Sequence, residues 1–195
     1  ELHYQPQFNR AGQMVGAEAL LRWRHPQRGM VSPAEFIPLA EEGGMIVPLG
    51  LWVLRTACQH LAAWQQQPTL AGAQLSVNVS ARQFRQADFA QQVTEVLQGS
   101  GAPAHLLKLE LTESMMLEDV QDTIEKMHTI RTKGVRFAMD DFGTGHSSLA
   151  YLKTLPIQRI KLDRTFVKDM ELNPDDQAIC KAAIQMAHSL GLEVV

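Results

Sequence analysis

Short apolar segments alternate with longer helical patterns along most of this chain, and this alternation constrains the fold more than any other feature. The pattern is regular from residue 74 to the end of the 195 residues. We expect strands at 74–79, 106–111, 135–140, 157–162 and 192–195, and helices at 86–98, 119–133, 146–154 and 174–190. Strands alternating with helices of this length are typical of βαβ units around a parallel sheet. The sequence therefore predicts an α/β protein.

The first part of the chain adds two strands of a different kind. A strand over Leu2–Phe8 is followed by a turn at 9–12 and by a second strand that contains Glu18. So short a link predicts antiparallel pairing, because a parallel crossover needs about a dozen residues or more. With these two the chain has seven strands, which fits a (β/α) barrel better than an open sheet. We therefore expect one domain over 1–195.

Helix signals also occur between the second strand and residue 74. Ser32 followed by Glu35 predicts a capping box, in which Ser32 is the N-cap and Glu35 reaches back to its backbone. A longer helix is predicted over 48–67, because its apolar residues recur at helical spacing.

Charge and cysteine content exclude several classes of protein. The 18 Lys and Arg against 21 Asp and Glu give a net charge of −3, which argues against binding to a nucleic-acid polymer. Cys58 and Cys180 lack CxxC spacing, so disulfides and zinc are not expected, and a reducing compartment such as the cytoplasm fits best. Apolar runs in the sequence are too short for a membrane span, so we expect no membrane contact by this domain.

Five predicted strands carry a carboxylate, an amide or an ammonium at or near their ends. These polar residues are Glu18, Asn78, Glu110, Asp140 with Asp141, and Lys161. A charge in a buried strand is costly unless it is paired or binds a metal. The series therefore predicts one polar site at one end of a sheet or barrel, where barrel enzymes place their active sites.

The chemistry of this series favours a hard cation. Glu18, Asn78, Glu110, Asp140 and Asp141 all offer oxygen ligands, and neither histidine nor cysteine accompanies them at ligand spacing. Oxygen ligands select Mg²⁺ or Mn²⁺, with Ca²⁺ as a further candidate, over zinc or copper. The adjacent aspartates could serve two ions, Asp140 as the bridge and Asp141 on the second, an arrangement suited to phosphoester hydrolysis.

A glycine-rich segment follows at 140–148. One interpretation is a simple turn in which Ser147 or Ser148 caps the next helix. The other is a loop that closes over the metals, fixed by Glu113 through hydrogen bonds to its backbone or hydroxyls. Lys161 could orient a nucleophilic water or neutralise phosphate charge, and an ion pair with Asp163 or Asp140 is a compatible alternative.

These residues resemble the signature motifs of a known family. The matching segments are Tyr4-Gln5-Pro6, Glu18-Ala-Leu-Leu-Arg22-Trp, Ser32-Pro33 with Phe36-Ile37-Pro38, Asn78-Val-Ser80, Glu110-Leu-Thr-Glu113, Asp140-Asp-Phe-Gly-Thr-Gly145 and Lys161-Leu-Asp163. Together they cover the whole chain in family order. The chain is identified by this resemblance as a member of the EAL domains, bacterial cyclic di-GMP-specific phosphodiesterases.

The resemblance implies a fold and a reaction. The fold would be a TIM-like (β/α)8 barrel whose first strand runs antiparallel. The reaction would be the hydrolysis of cyclic di-GMP to linear 5′-pGpG, with two Mg²⁺ or Mn²⁺ ions as cofactors and Ca²⁺ as an inhibitor. An inactive cyclic di-GMP receptor is the alternative, and a purely structural dimerisation module is a third hypothesis that the intact polar series disfavours.

The resemblance also assigns roles to residues. Catalysis would involve Lys161, Glu18 and Asp140, and substrate binding would involve Gln5, Leu21, Arg22 and Asp163. The metal ligands would be Glu18, Asn78, Glu110, Asp140 and Asp141, while Glu113 would position the loop after Asp141.

The resemblance carries further expectations about the surroundings of this domain. We expect a homodimer, fusion to sensory or GGDEF domains, and a cytoplasmic domain whose parent protein can be anchored to the inner membrane. His146 stands where the family usually has Tyr, a peripheral change. The family continues beyond Val195 with a strand that carries a further glutamate, so we expect a C-terminally truncated domain with little activity by itself.

Overall fold

The computed structural model describes residues 1–144 and 152–195, which divide into two compact units. The N-terminal unit comprises 1–109 and 132–135, and the C-terminal unit comprises 110–131 and 136–195. Most of the helix predicted at 146–154 lies outside the described residues, and so do its expected caps Ser147 and Ser148 and the substituted position His146.

The strands of the N-terminal unit begin with a long hairpin. Strand β1 (Leu2–Phe8) pairs antiparallel with β2 (Met14–Leu21), which confirms the predicted direction of the first strand. Strand β2 runs parallel to β5 (Gln74–Asn78), with Glu18 opposite Ser76. Strand β6 (Leu107–Thr112) begins in this unit, and its residues from Glu110 onward belong to the C-terminal unit.

A small second hairpin, which was not predicted, follows β2. Strands β3 (Trp23–His25) and β4 (Gly29–Val31) pair antiparallel, and the Trp23 ring meets Phe36 edge-on with centroids 5.7 Å apart. Three-residue strands carry too little periodicity to be recognised in a sequence.

Helices cover the strands of the N-terminal unit. They are α1 (Pro33–Glu42), α2 (Ile46–Trp64), α3 (Ala81–Phe84) and α4 (Phe89–Ser100), with a 3₁₀ turn at Ala104–Leu106. Helix α2 buries Leu54, Ala57, Cys58 and Leu61 completely or nearly so. This helical spacing of buried residues explains why the long helix was predictable from its apolar pattern.

Two details of the predicted helices are wrong. Ser32 occupies the N-cap position of α1 but makes no side-chain capping bond, and Glu35 pairs instead with Arg28 at 2.5 Å. The helix predicted at 86–98 is α4, which begins and ends later, at Phe89–Ser100. The short helix α3 before it was not predicted, and Ser80 caps it by accepting a hydrogen bond from the Gln83 backbone N–H.

The C-terminal unit contains parallel strands and helices in alternation. After β6 come α5 (Glu113–Glu118), α6 (Val120–Arg131), β7 (Arg136–Phe142), β8 (Arg159–Leu162), α7 (Arg164–Lys168), α8 (Pro174–Ser189) and β9 (Glu193–Val194). Strand β7 pairs parallel with β8, and β8 pairs parallel with β9. These pairings confirm the α/β class.

The core of the C-terminal unit is apolar around its strands. Phe137, Ala138 and Ile160 are fully buried in β7 and β8, and Ala187 of α8 is fully buried as well. Within the described part of the chain, every helix is too short or too polar to cross a lipid bilayer.

Candidate functional site

Two of the expected metal ligands meet in the N-terminal unit. Glu18 lies near the C-terminal end of β2, and Asn78 is the last residue of the parallel strand β5. Both residues therefore lie toward the C-terminal ends of their strands. Asn78 Nδ2 donates a hydrogen bond to Glu18 Oε1 at 2.7 Å. Because the side-chain nitrogen of Asn78 donates to Glu18, the side-chain oxygen Oδ1 of Asn78 is the atom suited to bind a cation.

Three residues of this unit that are expected to bind substrate, Gln5, Leu21 and Arg22, lie near Glu18, either opposite it on the paired strand or a few residues after it in the chain. Gln5 of β1 is the register partner of Glu18, and directly opposite residues point to the same face of a sheet. Leu21 ends β2, and Arg22 follows it with its guanidinium Nη1 donating to the Leu21 carbonyl at 3.0 Å.

A cavity of about 550 Å³ opens beside Leu21 and Arg22 within the N-terminal unit. Its other lining residues are Glu1, Trp23, Phe36, Leu39, Ala40, Met45, Leu49 and Trp52. The lining is therefore largely apolar, with the Arg22 guanidinium and the Glu1 carboxylate as its charged groups.

In the C-terminal unit one lysine is shared by two carboxylates. Lys161 Nζ lies 2.5 Å from Glu110 Oε2 and 3.0 Å from Asp140 Oδ2. The Glu110 side chain is fully buried, and those of Lys161 and Asp140 are only 16% and 19% exposed. The ion pair between Lys161 and Asp140, one of the predicted alternatives, is therefore present.

Asp141 has an unusual backbone. Its φ of +54° places it in the left-handed region, which non-glycine residues adopt rarely and mostly where the surroundings hold them. Its backbone N–H donates to Asp140 Oδ1 at 2.9 Å. Burial raises the pKa of the Asp141 carboxyl, and the negative charges of Asp140 and Asp163 raise this pKa further.

Asp163, expected to bind substrate, begins helix α7. Its Oδ1 accepts a hydrogen bond from the Thr165 backbone N–H at 2.8 Å and another from the Thr165 hydroxyl. These bonds favour the charged form and lower the pKa of Asp163. A hydrogen bond that the Asp141 carboxyl donates in its protonated form lowers the pKa of Asp163 further.

Glu113 contacts the segment that follows Asp141. Glu113 Oε2 accepts a hydrogen bond from the Gly143 backbone N–H at 2.8 Å, and Glu113 is only 1% exposed. A buried carboxylate that holds a backbone N–H fixes the path of the chain at this point. This is the contact that the predicted loop-positioning role requires.

Each unit offers oxygen atoms of the kind that a hard divalent cation prefers. The candidate ligands are the carboxylate of Glu18 in the N-terminal unit and the carboxylates of Glu110 and Asp140 in the C-terminal unit. The side-chain amide of Asn78 and the carboxylate of Asp141, both expected as ligands, offer oxygen atoms of the same kind. Mg²⁺ and Mn²⁺ prefer such oxygens, whereas zinc sites normally include nitrogen or sulfur.

The sequence as a whole matches the family described as the EAL domain, over residues 1–195. The chain belongs to the EAL domain family. This EAL domain is 42% identical over its whole length to MucR of Pseudomonas aeruginosa, named a bifunctional diguanylate cyclase/cyclic di-GMP phosphodiesterase. It is also 42% identical over its whole length to NbdA of the same organism, named a cyclic di-GMP phosphodiesterase. It spans only 28% and 25% of the length of these two relatives.

Solved structures confirm the predicted fold class for this EAL domain. The structure of the PaMucR phosphodiesterase in complex with c-di-GMP matches all of this chain and 78% of the other, with a TM-score of 0.95 and 40% identity. The antiparallel β1 and the parallel strands that follow are therefore those of the TIM-like EAL fold.

Sequence reasoning missed one part of the site region, the short helix α7. Its residues Thr165 and Phe166 contact Asp163 and Gly143. The available signal was the order Asp163-Arg-Thr165, which is typical of an N-cap aspartate that accepts from the backbone two residues on.

Proposed function

We propose that this EAL domain hydrolyses one phosphodiester bond of cyclic di-GMP and releases 5′-pGpG. The observation that carries the proposal is the Lys161 ammonium held by the carboxylates of Glu110 and Asp140, with Asp141 next in the chain. Relatives named as cyclic di-GMP phosphodiesterases share 42% of its residues, which supports the same substrate.

We propose two Mg²⁺ or Mn²⁺ ions as cofactors, with Ca²⁺ as an inhibitor. The residues that would hold them are Glu18, Asn78, Glu110, Asp140 and Asp141. Bound divalent ions supply a nucleophile at neutral pH by lowering the pKa of water, and they stabilise charge on the phosphate. Family membership and the all-oxygen donor set support this assignment.

The protein's own residues would orient the reactants. Lys161 would donate to the attacking water or to a phosphate oxygen, and this ammonium is already held in place by Glu110 and Asp140. Glu18 and Asp140 would act as catalytic carboxylates that hold the attacking water and the phosphate in position. The water oxygen would bond to phosphorus and give up one proton while the bond from phosphorus to the ribose 3′-oxygen breaks, and the 3′-oxygen would take up one proton to become a hydroxyl.

Substrate binding would use polar groups beside an apolar wall. Arg22 would grip a phosphate, because its guanidinium fork matches phosphate oxygens. Gln5, Leu21 and Asp163 would contact the rest of the nucleotide. The largely apolar cavity beside Leu21 and Arg22 supports this assignment, since nucleotide sites combine apolar walls with a few polar groups.

A receptor that binds cyclic di-GMP without cleaving it is the second candidate. A receptor has no need for carboxylates that hold metal ions, whereas this chain keeps Glu18, Glu110, Asp140 and Asp141. The engagement of Lys161 with two of these carboxylates favours the enzyme.

One experiment separates enzyme from receptor. The full-length protein that carries this domain is incubated with cyclic di-GMP and Mg²⁺ or Mn²⁺, and pGpG is measured by chromatography. We expect turnover that stops with a chelator and in Glu18→Gln, while Glu42→Gln, an exposed carboxylate at the end of α1, retains it. Binding without any pGpG in the wild-type protein would favour the receptor.

We also propose how the domain is organised and where it works. Residues 1–195 act as one EAL domain in a homodimer, within a protein that has sensory or GGDEF domains, and the domain lies in the cytoplasm. The length of the relatives and the name of MucR support the fusion. The thiols of Cys58 and Cys180 are buried and lie outside any disulfide, which suits a reducing compartment. Light scattering of the full-length protein would test the dimer.

A further inference from the structure

A phenylalanine lies against the glycine that follows the two adjacent aspartates. Gly143 has a φ of +101°, and a Cβ built on it would lie 2.8 Å from Phe166 Cε2. Real Cβ atoms do not approach carbon so closely, so the ring occupies the space of a side chain at position 143. The Phe166 ring therefore packs directly against the Gly143 backbone.

Phe166 is itself held in place. Its backbone N–H donates to the Asp163 carbonyl at 3.2 Å within the first turn of α7. Its carbonyl accepts from the Sγ of Cys180, a buried residue of α8, at 3.5 Å. The ring is thus carried by a short helix that is tied both to the end of β8 and to the long helix α8.

The segment that Phe166 contacts is held by two further bonds. Glu113 accepts from the Gly143 N–H at 2.8 Å, and the Asp163 N–H donates to the Phe142 carbonyl at 3.3 Å. Asp141, just before this segment, has the rare positive φ that persists only where the surroundings impose it. Removal of one support should therefore release the backbone beside Asp140 and Asp141.

We propose that Phe166 is a positioning residue for the metal ligands Asp140 and Asp141, acting through its packing against Gly143. The inference rests on the proposed metal-dependent function. Groups that orient metal ligands without touching the metal typically change metal affinity by about 10–100-fold when they are removed. The ring acts in this way on the backbone that carries the two carboxylates.

The test measures Mn²⁺ binding as well as hydrolysis, using the full-length protein. Mn²⁺ binding is followed by electron paramagnetic resonance without substrate, and the metal concentration for half-maximal hydrolysis is measured separately. For Phe166→Ala we expect the Kd for Mn²⁺ and the metal concentration for half-maximal hydrolysis each to rise about 10-fold or more. The KM for cyclic di-GMP at saturating metal should stay unchanged. Phe166→Leu should restore part of the affinity.

A matched control lies one residue further along α7. Val167 is 44% exposed, so Val167→Ala shortens an apolar side chain of the same helix on the solvent side and should leave Mn²⁺ binding as in the wild type. If Phe166→Ala does not fold, as judged by circular dichroism, Phe166→Leu replaces it and should weaken Mn²⁺ binding more than Val167→Ala does.

A double variant tests the contact itself. Gly143→Ala should weaken Mn²⁺ binding because an alanine is strained at a φ of +101° and because its methyl group meets the ring; Phe166→Ala removes the clash but leaves the strain. We therefore expect the double variant to lose less affinity than the product of the two single losses.

Wild-type Mn²⁺ affinity in folded Phe166→Ala, or strictly multiplicative losses in the double variant, would overturn the positioning role while the proposed hydrolysis stands. A wild-type protein that neither binds Mn²⁺ nor hydrolyses cyclic di-GMP would overturn the proposed function and this inference with it.

Discussion

The Lys161 ammonium lies 2.5 Å from the Glu110 carboxylate, whose side chain is completely buried. A buried carboxylate needs a partner of opposite charge, because an isolated charge in an apolar interior is costly. Lys161 supplies that partner and also reaches Asp140 at 3.0 Å. The same positive charge that is proposed to serve catalysis therefore also stabilises the fold around the acidic residues.

Replacement of Lys161 should destabilise the metal-free protein. Loss of one partner of a buried ion pair costs about 3–5 kcal/mol, and the partial exposure of Lys161 lowers the expected loss for Lys161→Met to about 2–3 kcal/mol. The loss should shrink when Mg²⁺ or Mn²⁺ is added, because bound cations replace the missing charge. Urea unfolding with chelator and with metal checks this, and Lys168→Met at the exposed end of α7 is the control. Equal losses in both conditions would contradict it.

Glu113→Gln should weaken activity without unfolding the protein. The amide side chain keeps the size of the carboxylate but loses the charge that strengthens its bond with the Gly143 N–H. We expect hydrolysis to fall about 10–100-fold, the range for groups that orient metal ligands, and the metal requirement to rise. Steady-state kinetics over a Mn²⁺ series measures both.

The control for this variant is Glu125→Gln, which makes the same change on α6. Its kinetics should match those of the wild type. Wild-type metal dependence in Glu113→Gln would mean that the bond with Gly143 has no influence on Asp140 and Asp141.

Asn78→Asp should disturb the proposed metal ligands of the N-terminal unit, Glu18 and Asn78. The change removes the N–H donor that binds Glu18 at 2.7 Å and places a second carboxylate there. Because Asn78 is exposed, the metal-free protein should lose about 1.5 kcal/mol, at the low end for hydrogen bonds to charged groups. Turnover should fall at least about 10-fold. Gln98→Glu, the same amide-to-acid change on α4, should leave both quantities unaltered.

Because the Cys58 thiol is buried, we expect the free energy of unfolding to fall at alkaline pH. Burial raises the pKa of Cys58 from 9.0 to about 12. Between these values the unfolded chain has lost the thiol proton while the folded chain retains it, so the free energy of unfolding falls as pH rises. This contribution is fully present below about pH 9 and is lost by about pH 12. Cys58→Ala should therefore show a flatter decline over that range in urea unfolding; parallel curves for the two proteins would contradict the burial effect.

Local sequence signals predicted much of the fold. Strand β1 was predicted and found at Leu2–Phe8, and α8 differs from its prediction by one residue because Asn173 and Pro174 mark its start. The capping box at Ser32 failed because Arg28, brought close by the unpredicted hairpin, takes the Glu35 carboxylate. A competing charge from another element cannot be seen in a local pattern.

The charged residues of the candidate site could be predicted from the sequence, whereas its apolar residues could not. Charges at the ends of apolar strands predicted that Glu110, Asp140 and Lys161 lie together, because a buried charge needs a partner. The contacts of Lys161 with both carboxylates are present, while the roles of these residues stay predictions. Phe166 carries no such signal, since an aromatic residue in a short helix is indistinguishable from ordinary packing. Its contact with Gly143 depends on the left-handed backbone of that glycine, which only the folded structure reveals.

Cyclic di-GMP hydrolysis in water enriched with ¹⁸O tests the central claim most directly. The full-length protein is given cyclic di-GMP with Mg²⁺ or Mn²⁺, and the products are analysed by mass spectrometry. We expect pGpG that carries one heavy oxygen on its 5′-phosphate, because water attacks phosphorus and the 3′-oxygen leaves. Cyclic di-GMP that is bound by the metal-loaded protein yet recovered intact would contradict it.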